Sequence, residues 1–399
     1  MDQALERFLR YVKIDTQSND MSDSTPSEEK ELNLTRLLKD ELKELGIDGE
    51  IDEYGRLYAH LPGEEGISKI GFNSHVDTAL ECSGKDVKPQ IIENYDGGTI
   101  RLNDTYSMNP TDFPRLQNRV GDTLVVTSGD TLLGADDKSG VAIIMSALAY
   151  FVSHPEVKHH PISILFTPDE EIGRGPEHFD SKKFGADFAY TIDGDSPVNI
   201  EMENFNAAHA DIVIEGVSIH PGEGKNKMVN AARLAAEFDS YLSSEDRPEH
   251  TALREGFNHL VSIEGSVDKA SLHFIIRNHD GKKLEKQKED IKKAVEKLSK
   301  KYQKAKISLE IKDDYRNMKE IFDKDPRAIE HAVKVYRSLG IEPNFSPIRG
   351  GTDGATFSFN GCPTPNLGTG SYHHHGRFEF LSVKEFHQMI DIVIALAKI

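Results

Sequence analysis

Apolar residues recur along this chain in two rhythms, one helical and one of strands. Leu5, Phe8, Leu9 and Val12 stand at helical spacing, and Leu34, Leu37, Leu38, Leu42 and Leu45 give residues 27–46 a second apolar face that Gly46 ends. Residues 50–61 alternate around Tyr54-Gly55 and predict a hairpin. Three further apolar runs each end in chemistry. Ile70, Phe72 and Ser74 lead into His75-Val76-Asp77, and Ile162, Ile164, Leu165 and Phe166 lead into Thr167-Pro168-Asp169-Glu170-Glu171. Residues 188–192 lead into Asp193-Gly194-Asp195. Between the first two, residues 81–131 are polar and turn-rich, which predicts an inserted flap of short strands. Asp136 and Asp137 then fall at a loop-to-helix junction, ahead of a helix marked by Val141, Ile144, Leu148 and Phe151.

The rhythm changes after about Asn206. Residues 210–217 read as a strand, 227–242 as a helix, 259–264 and 270–277 as strands, 282–302 as a helix and 307–311 as a strand. The order β-α-β-β-α-β is that of a split βαβ, ferredoxin-like unit. From about Arg316 the chain returns to the first pattern. Residues 328–339 predict a helix, 347–354 a glycine-rich loop, and Ser382 with Glu385 a capping box for a terminal helix. The expected fold class is therefore α/β: a catalytic domain with a mostly parallel sheet, interrupted by a ferredoxin-like α+β lid. Its expected boundaries are 1–208 and 316–399 for the catalytic domain and 209–315 for the lid.

Composition narrows the functional classes. With 399 residues the chain has ample length for two domains. A net charge of −19 opposes binding to nucleic-acid phosphates or to an anionic membrane surface. The lysine-rich residues 282–304 do not alter this, because Glu285, Glu289, Asp290 and Glu296 interleave them as a solvated helical face. Cys82 and Cys362 form no Cys-x-x-Cys pair or disulfide framework, and no apolar run reaches membrane-spanning length. The expectation is a cytoplasmic protein with no nucleic-acid or membrane partner.

Carboxylates crowded at strand tips repel one another unless a cation sits among them. In an open α/β sheet, strand carboxyl ends converge on ligand sites. Imidazole nitrogens and carboxylate oxygens suit zinc, and the His, Asp and Glu residues here suffice for two ions. His75-Val76-Asp77, Gly134-Ala135-Asp136-Asp137-Lys138, Asp169-Glu170-Glu171-Ile172-Gly173, Ile192-Asp193-Gly194 and His375-Gly376 follow in this order, with the insert after the fourth. Together they resemble the peptidase T family, the tripeptide aminopeptidase branch of the cocatalytic-zinc exopeptidases related to aminoacylases and succinyl-diaminopimelate desuccinylases.

The resemblance implies a dinuclear zinc aminopeptidase acting on short peptides, with other divalent ions as alternatives to the two Zn2+. It implies His75, Asp136 and Asp193 on one ion and Asp136, Glu171 and His375 on the other, with His374 as the competitor to His375. Glu170 is then the general base on a metal-bridging water, and Asp77 the carboxylate that orients His75. His220, Asn230, Arg277 and Arg349 match positions that relatives use to hold the peptide, although Asn278 stands where the family commonly has an acid. Either arginine is equally open as a structural salt-bridge partner, and His220 as a helix cap. Alternatives within the architecture are a dipeptidase or an N-acyl amino acid deacylase. A non-catalytic peptide-binding module is the alternative outside it, and a homodimer is compatible with all of these.

Overall fold

The structure, a computed structural model, describes residues 2–399. The residues form two compact units: one comprises the chain through Met202 with Glu320–Ser346 and Thr352–Ile399, the other Glu203–Lys319 with Pro347–Gly351.

The first unit is built on an eight-stranded sheet. Its spatial order is Gly49–Ile51, Leu57–Leu61, Ile162–Thr167, Ile70–His75, Phe188–Gly194, Asn366–Gly368, Asn199–Glu201 and Asn344–Phe345. The central pairings, Ile70–His75 with Ile162–Thr167 and with Phe188–Gly194, are parallel, as is Phe188–Gly194 with Asn366–Gly368. Ile70–His75 and Ile162–Thr167 are buried along their whole length, which explains their near-continuous apolar runs. His75 pairs with Thr167, so the two tips end side by side and deliver His75 and the Glu170–Ile172 turn to one edge. The fold class is thus mixed α/β with a mostly parallel sheet.

The helix Ala135–Ser153 packs on Ile70–His75 and Phe188–Gly194, and Gln3–Tyr11 and Val383–Ala397 pack on that helix. Its first turn approaches the sheet closely. A Cβ at Gly140 would lie 1.9 Å from the Ile192 carbonyl oxygen, so only glycine lets the helix start there. The flap contains the expected short strands, but it does not stand apart. Gln90–Ile92 and Leu124–Val126 share a four-stranded antiparallel sheet with Phe380–Ser382 and Ser371–Tyr372, and Tyr95, Leu102, Leu116, Tyr372 and Phe380 form a common core.

The second unit has strands Asn206–Glu215, Phe257–Gly265, Lys269–Asn278 and Lys306–Tyr315 with helices Ala231–Asp239 and Gly281–Lys301. Its sheet order places Lys269–Asn278 and Lys306–Tyr315 on either side of Asn206–Glu215, with Phe257–Gly265 at one edge, and all pairings are antiparallel. This is the arrangement expected of a ferredoxin-like unit. Ile212, Phe238, Leu272, Phe274, Ile291 and Leu298 fill its core.

Two local expectations change. At its last two residues the expected glycine-rich loop 347–354 gives way to the helix Asp353–Phe359, because the Thr352 side chain caps it by accepting from Gly354 N at 3.3 Å. The capping box at the terminal helix is half made. Ser382 Oγ accepts from Glu385 N at 3.2 Å, but the Glu385 carboxylate turns to Arg119 at 2.7 Å and to the Tyr372 hydroxyl at 2.6 Å. A charged guanidinium outcompetes a backbone N–H for it.

Candidate metal centre

Four chain segments bring their polar ends together around Asp136. His75 closes the strand Ile70–His75, and its Nε2 lies 3.0 Å from Asp136 Oδ1 and 3.4 Å from Asp193 Oδ1. His375 Nε2 lies 3.3 Å from Asp136 Oδ2 and 3.1 Å from Glu171 Oε2. Asp136 therefore has one oxygen toward each histidine. His75, Asp136 and Glu171 each offer a ligand atom within 4.8 Å of the others.

A second such trio, His75, Asp137 and Asp193, includes a carboxylate that is already used. Asp137 accepts from Ser74 Oγ, from His75 N at 3.2 Å and from Gly140 N at 3.2 Å. Its role is to seat the strand tip against the helix, and Asp136 remains the residue aimed into the centre. Asp136 is in turn held by Glu379, which accepts from Leu133 N, Gly134 N and Asp136 N at 2.7, 2.8 and 2.9 Å.

The His373-His374-His375 run is resolved by its backbone. His373 and His375 both take positive φ, 58° and 64°, so successive side chains diverge. His373 packs edge-on against Phe113 of the flap. His374 Nε2 is engaged with Ser371 Oγ at 2.9 Å, while its Nδ1 lies 3.5 Å from Asp136. Only His375 of the three bridges Asp136 and Glu171.

Asp77 ties the histidine strand to the acidic turn. Its Oδ1 faces His75 Nδ1 at 3.3 Å and accepts from Glu170 N at 3.0 Å, and its Oδ2 accepts from Glu171 N at 3.1 Å. Asp169, first of the three acids there, points elsewhere: it accepts from Ser27 N at 3.0 and 2.8 Å and anchors the N-terminal segment. Asp353 lies buried below the turn and accepts from Thr167 Oγ1 at 2.7 Å.

The electrostatics are those of crowded buried carboxylates. Burial, reinforced by Asp193, Asp353 and Glu171, pushes the Glu170 carboxyl well above its ordinary range. Burial and Asp136 raise Glu171 to about 7, and burial with Asp193 and Asp77 raises Asp353 to about 7. Asp136 goes the other way: burial would raise it, but His374, His375 and His75 outweigh that and hold it well down. Hydrogen bonds to Asp136 and Glu171 push His375 up to about 12. His75 also rises, because Asp193, Asp136 and Asp77 overcome the effect of burial.

A divalent cation fits this donor set. It is made of imidazole nitrogens and carboxylate oxygens, it carries surplus negative charge, and among the described residues Glu171 Oε1 is buried with no hydrogen-bond partner.

The remaining expected site residues belong to the second unit. His220 is exposed, and its Nδ1 accepts from Gly222 N at 3.2 Å as a cap. Asn230 caps Ala231–Asp239 by accepting from Arg233 N at 3.2 Å. Arg277 engages Ala208 O, Ile276 O and Asp314, all three through Nη1. Arg349 donates to Leu253 O, Glu255 O and Thr251 Oγ1 and lies over Phe205 and Phe257.

Sequence reasoning did not single out Glu379, Asp353 or the seating role of Asp137. The available signals were the acid four residues past His375, the Thr-Asp-Gly at the end of the glycine-rich loop, and the doubled aspartate itself.

Comparison with known proteins gives the family. The sequence pattern of peptidase family M20/M25/M40 matches residues 132–399. The chain belongs to this family. It is 46% identical over 402 residues to Peptidase T of Bacillus subtilis (strain 168), covering 100% of this chain and 98% of that one. It is 47% identical over 404 residues to Peptidase T of Caldanaerobacter subterraneus subsp. tengcongensis, covering 100% and 99%. Among solved structures, the fold matches aminopeptidase PepT from Bacillus cereus ATCC 10987 with a TM-score of 0.78 at 22% identity, covering 99% of this chain and 97% of that one. It also matches a dinuclear metal binding peptidase of the M20 family from Bacillus subtilis, with a TM-score of 0.65 at 14% identity and coverage of 99% and 96%.

Proposed function

We propose that this chain is a dinuclear metallo-aminopeptidase that removes the N-terminal residue from tripeptides. The observation that carries the reading is Asp136 set between His75 and His375, with Asp193 against His75, Glu171 against His375, and Glu170 within the electrostatic reach of His75, Asp193 and Glu171. Full-length similarity to Peptidase T supports the substrate class.

In this reading His75, Asp136 and Asp193 hold one ion, and Asp136, Glu171 and His375 hold the other, with zinc as the expected metal. When bound, such ions supply Lewis acidity toward the scissile carbonyl and make water a nucleophile at neutral pH. Glu170 takes the proton from the attacking water and passes it to the leaving amine. Its backbone is fixed by Asp77, so the carboxyl approaches from a set direction. Burial and the neighbouring carboxylates raise Glu170, and bound cations would act in the opposite direction.

The second unit serves as the lid in this reading. His220 is then the donor to the tetrahedral oxyanion, with Asn230 beside it on the peptide backbone. Arg277 is the better choice for gripping the peptide carboxylate, since its bonds within the unit run through Nη1 alone while those of Arg349 engage both Nη1 and Nη2.

The test is mass-spectrometric product analysis on free di-, tri- and tetrapeptides and an N-acetylated tripeptide, with zinc and after chelation. Metal-dependent release of the N-terminal residue from the free tripeptide is the expected result. Cleavage of the acetylated or two-residue substrates instead would replace this reading with a deacylase or a dipeptidase, and no cleavage would leave a binding module.

A further inference from the structure

His75 and His375 stand in matching positions about Asp136. Each turns Nε2 to one Asp136 oxygen, at 3.0 Å for His75 and 3.3 Å for His375. Each also turns Nδ1 to a carboxylate on the segment that follows the strand Ile70–His75. For His75 that is Asp77 Oδ1 at 3.3 Å. For His375 it is Glu81 Oε1 at 3.4 Å.

The loop that carries Glu81 is fixed on both sides of it. Gln17 Nε2 donates to Ala79 O at 2.8 Å and to Cys82 O at 2.9 Å, and Leu132 N donates to Ser83 O at 3.1 Å. The side chain that projects between these anchors, 65% exposed, is thereby held within reach of an imidazole almost three hundred residues away along the chain. A neutral imidazole that presents one nitrogen to a cation carries its proton on the other, and that N–H requires an acceptor.

We propose that Glu81 is a positioning residue for His375. It accepts the Nδ1–H, and so fixes the tautomer and ring orientation that present the Nε2 lone pair between Asp136 and Glu171. This assignment rests on the dinuclear reading above. The two outer carboxylates divide the work unequally: buried Asp77 also holds the N–H groups of Glu170 and Glu171, whereas Glu81 acts on the His375 side. Its influence is confined to one of the two ions.

The test is zinc titration of the full chain against a chromophoric chelator, for wild type, Glu81→Ala, Glu81→Gln and Glu81→Asp, with thermal unfolding of the metal-free proteins as a check on the fold. Wild type is expected to bind two ions. Glu81→Ala should weaken one site by about tenfold and leave the other within twofold, Glu81→Gln should fall between, and Glu81→Asp should recover part of the loss. In the zinc-loaded wild type, nitrogen-15 shifts should place the His375 proton on Nδ1. Equal affinity at both sites in wild type and Glu81→Ala would overturn this assignment alone, as would equal weakening of both sites, which a general loop defect gives. A wild type that bound fewer than two ions would overturn this assignment together with the dinuclear reading.

Discussion

The carboxylate of Asp77 accepts the backbone N–H of Glu170 at 3.0 Å, and so joins the proposed base to the strand that carries His75. Asp77→Asn keeps the size of the side chain but loses its charge and sets an NH2 group against a backbone N–H or His75. We expect it to weaken metal binding by about 10- to 100-fold and to lower kcat as the acidic turn shifts. Metal analysis after dialysis, alongside a tripeptide assay, reads both; unchanged values in both would strip Asp77 of its orienting role.

Glu170→Gln separates the base from the ligands. The variant should retain wild-type metal content, while kcat falls by about 10²-fold or more. Substantial residual turnover with both ions present would assign the proton transfer to another group.

The histidine run gives a contrast within three residues. His375→Ala should lose the ion on the Glu171 side, whereas His374→Ala should keep both, since His374 is anchored on Ser371. Inductively coupled plasma analysis of the two variants decides it, and the reverse pattern would move the ligand to His374.

Loading should be coupled to protons. In the metal-free protein His375 is pushed up to about 12 and carries a proton at neutral pH, and His75 is shifted in the same direction. A ligating imidazole must be neutral, so binding releases such protons. Protons therefore compete with the metal: affinity rises with pH through the neutral range and falls as pH is lowered. Calorimetry in buffers with different ionisation heats measures the number released, and a value of zero would contradict the electrostatics described above.

Gly140 links stability to the site. A Cβ on this residue would meet Ile192 O at 1.9 Å, so Gly140→Ala must push the helix Ala135–Ser153 away from the strand that ends at Asp193 and Gly194. Overpacking of this kind costs about 1–3 kcal/mol, or more where backbone is the obstacle. Urea unfolding should show that loss together with weaker metal binding, and an unperturbed variant would mean that the helix start is freer than this packing implies.

The parts of the site that were legible in the sequence are those where pattern and chemistry coincide. His75 and Asp193 lie at the ends of buried strands and Glu170 and Glu171 follow one, so periodicity places them at strand tips. Asp136 was legible as a helix-start residue, but not its separation from Asp137, which depends on hydrogen bonds to Ser74, His75 and Gly140. Glu379, Asp353 and Glu81 are single carboxylates far from their partners along the chain, and nothing local distinguishes an acid that holds a backbone from one that faces water. The helix Asp353–Phe359 was hidden for a related reason: the glycines ahead of it predict a loop, and the stop–start boundary is set by the Thr352 cap and by burial of Ala355 and Phe357. The flap was legible as an inserted run of short strands but its sheet was not, because its pairing partner, Phe380–Ser382, lies at the far end of the sequence.

Everything proposed for the site turns on Asp136 being shared by two metal ions, one on the His75 and Asp193 side and one on the His375 and Glu171 side. Anomalous diffraction at the zinc edge, from crystals of the zinc-loaded protein, would locate those ions. Two strong peaks flanking the Asp136 carboxylate, each next to one histidine, are expected; a single peak, or peaks that leave Asp136 uncoordinated, would contradict the shared-ligand arrangement.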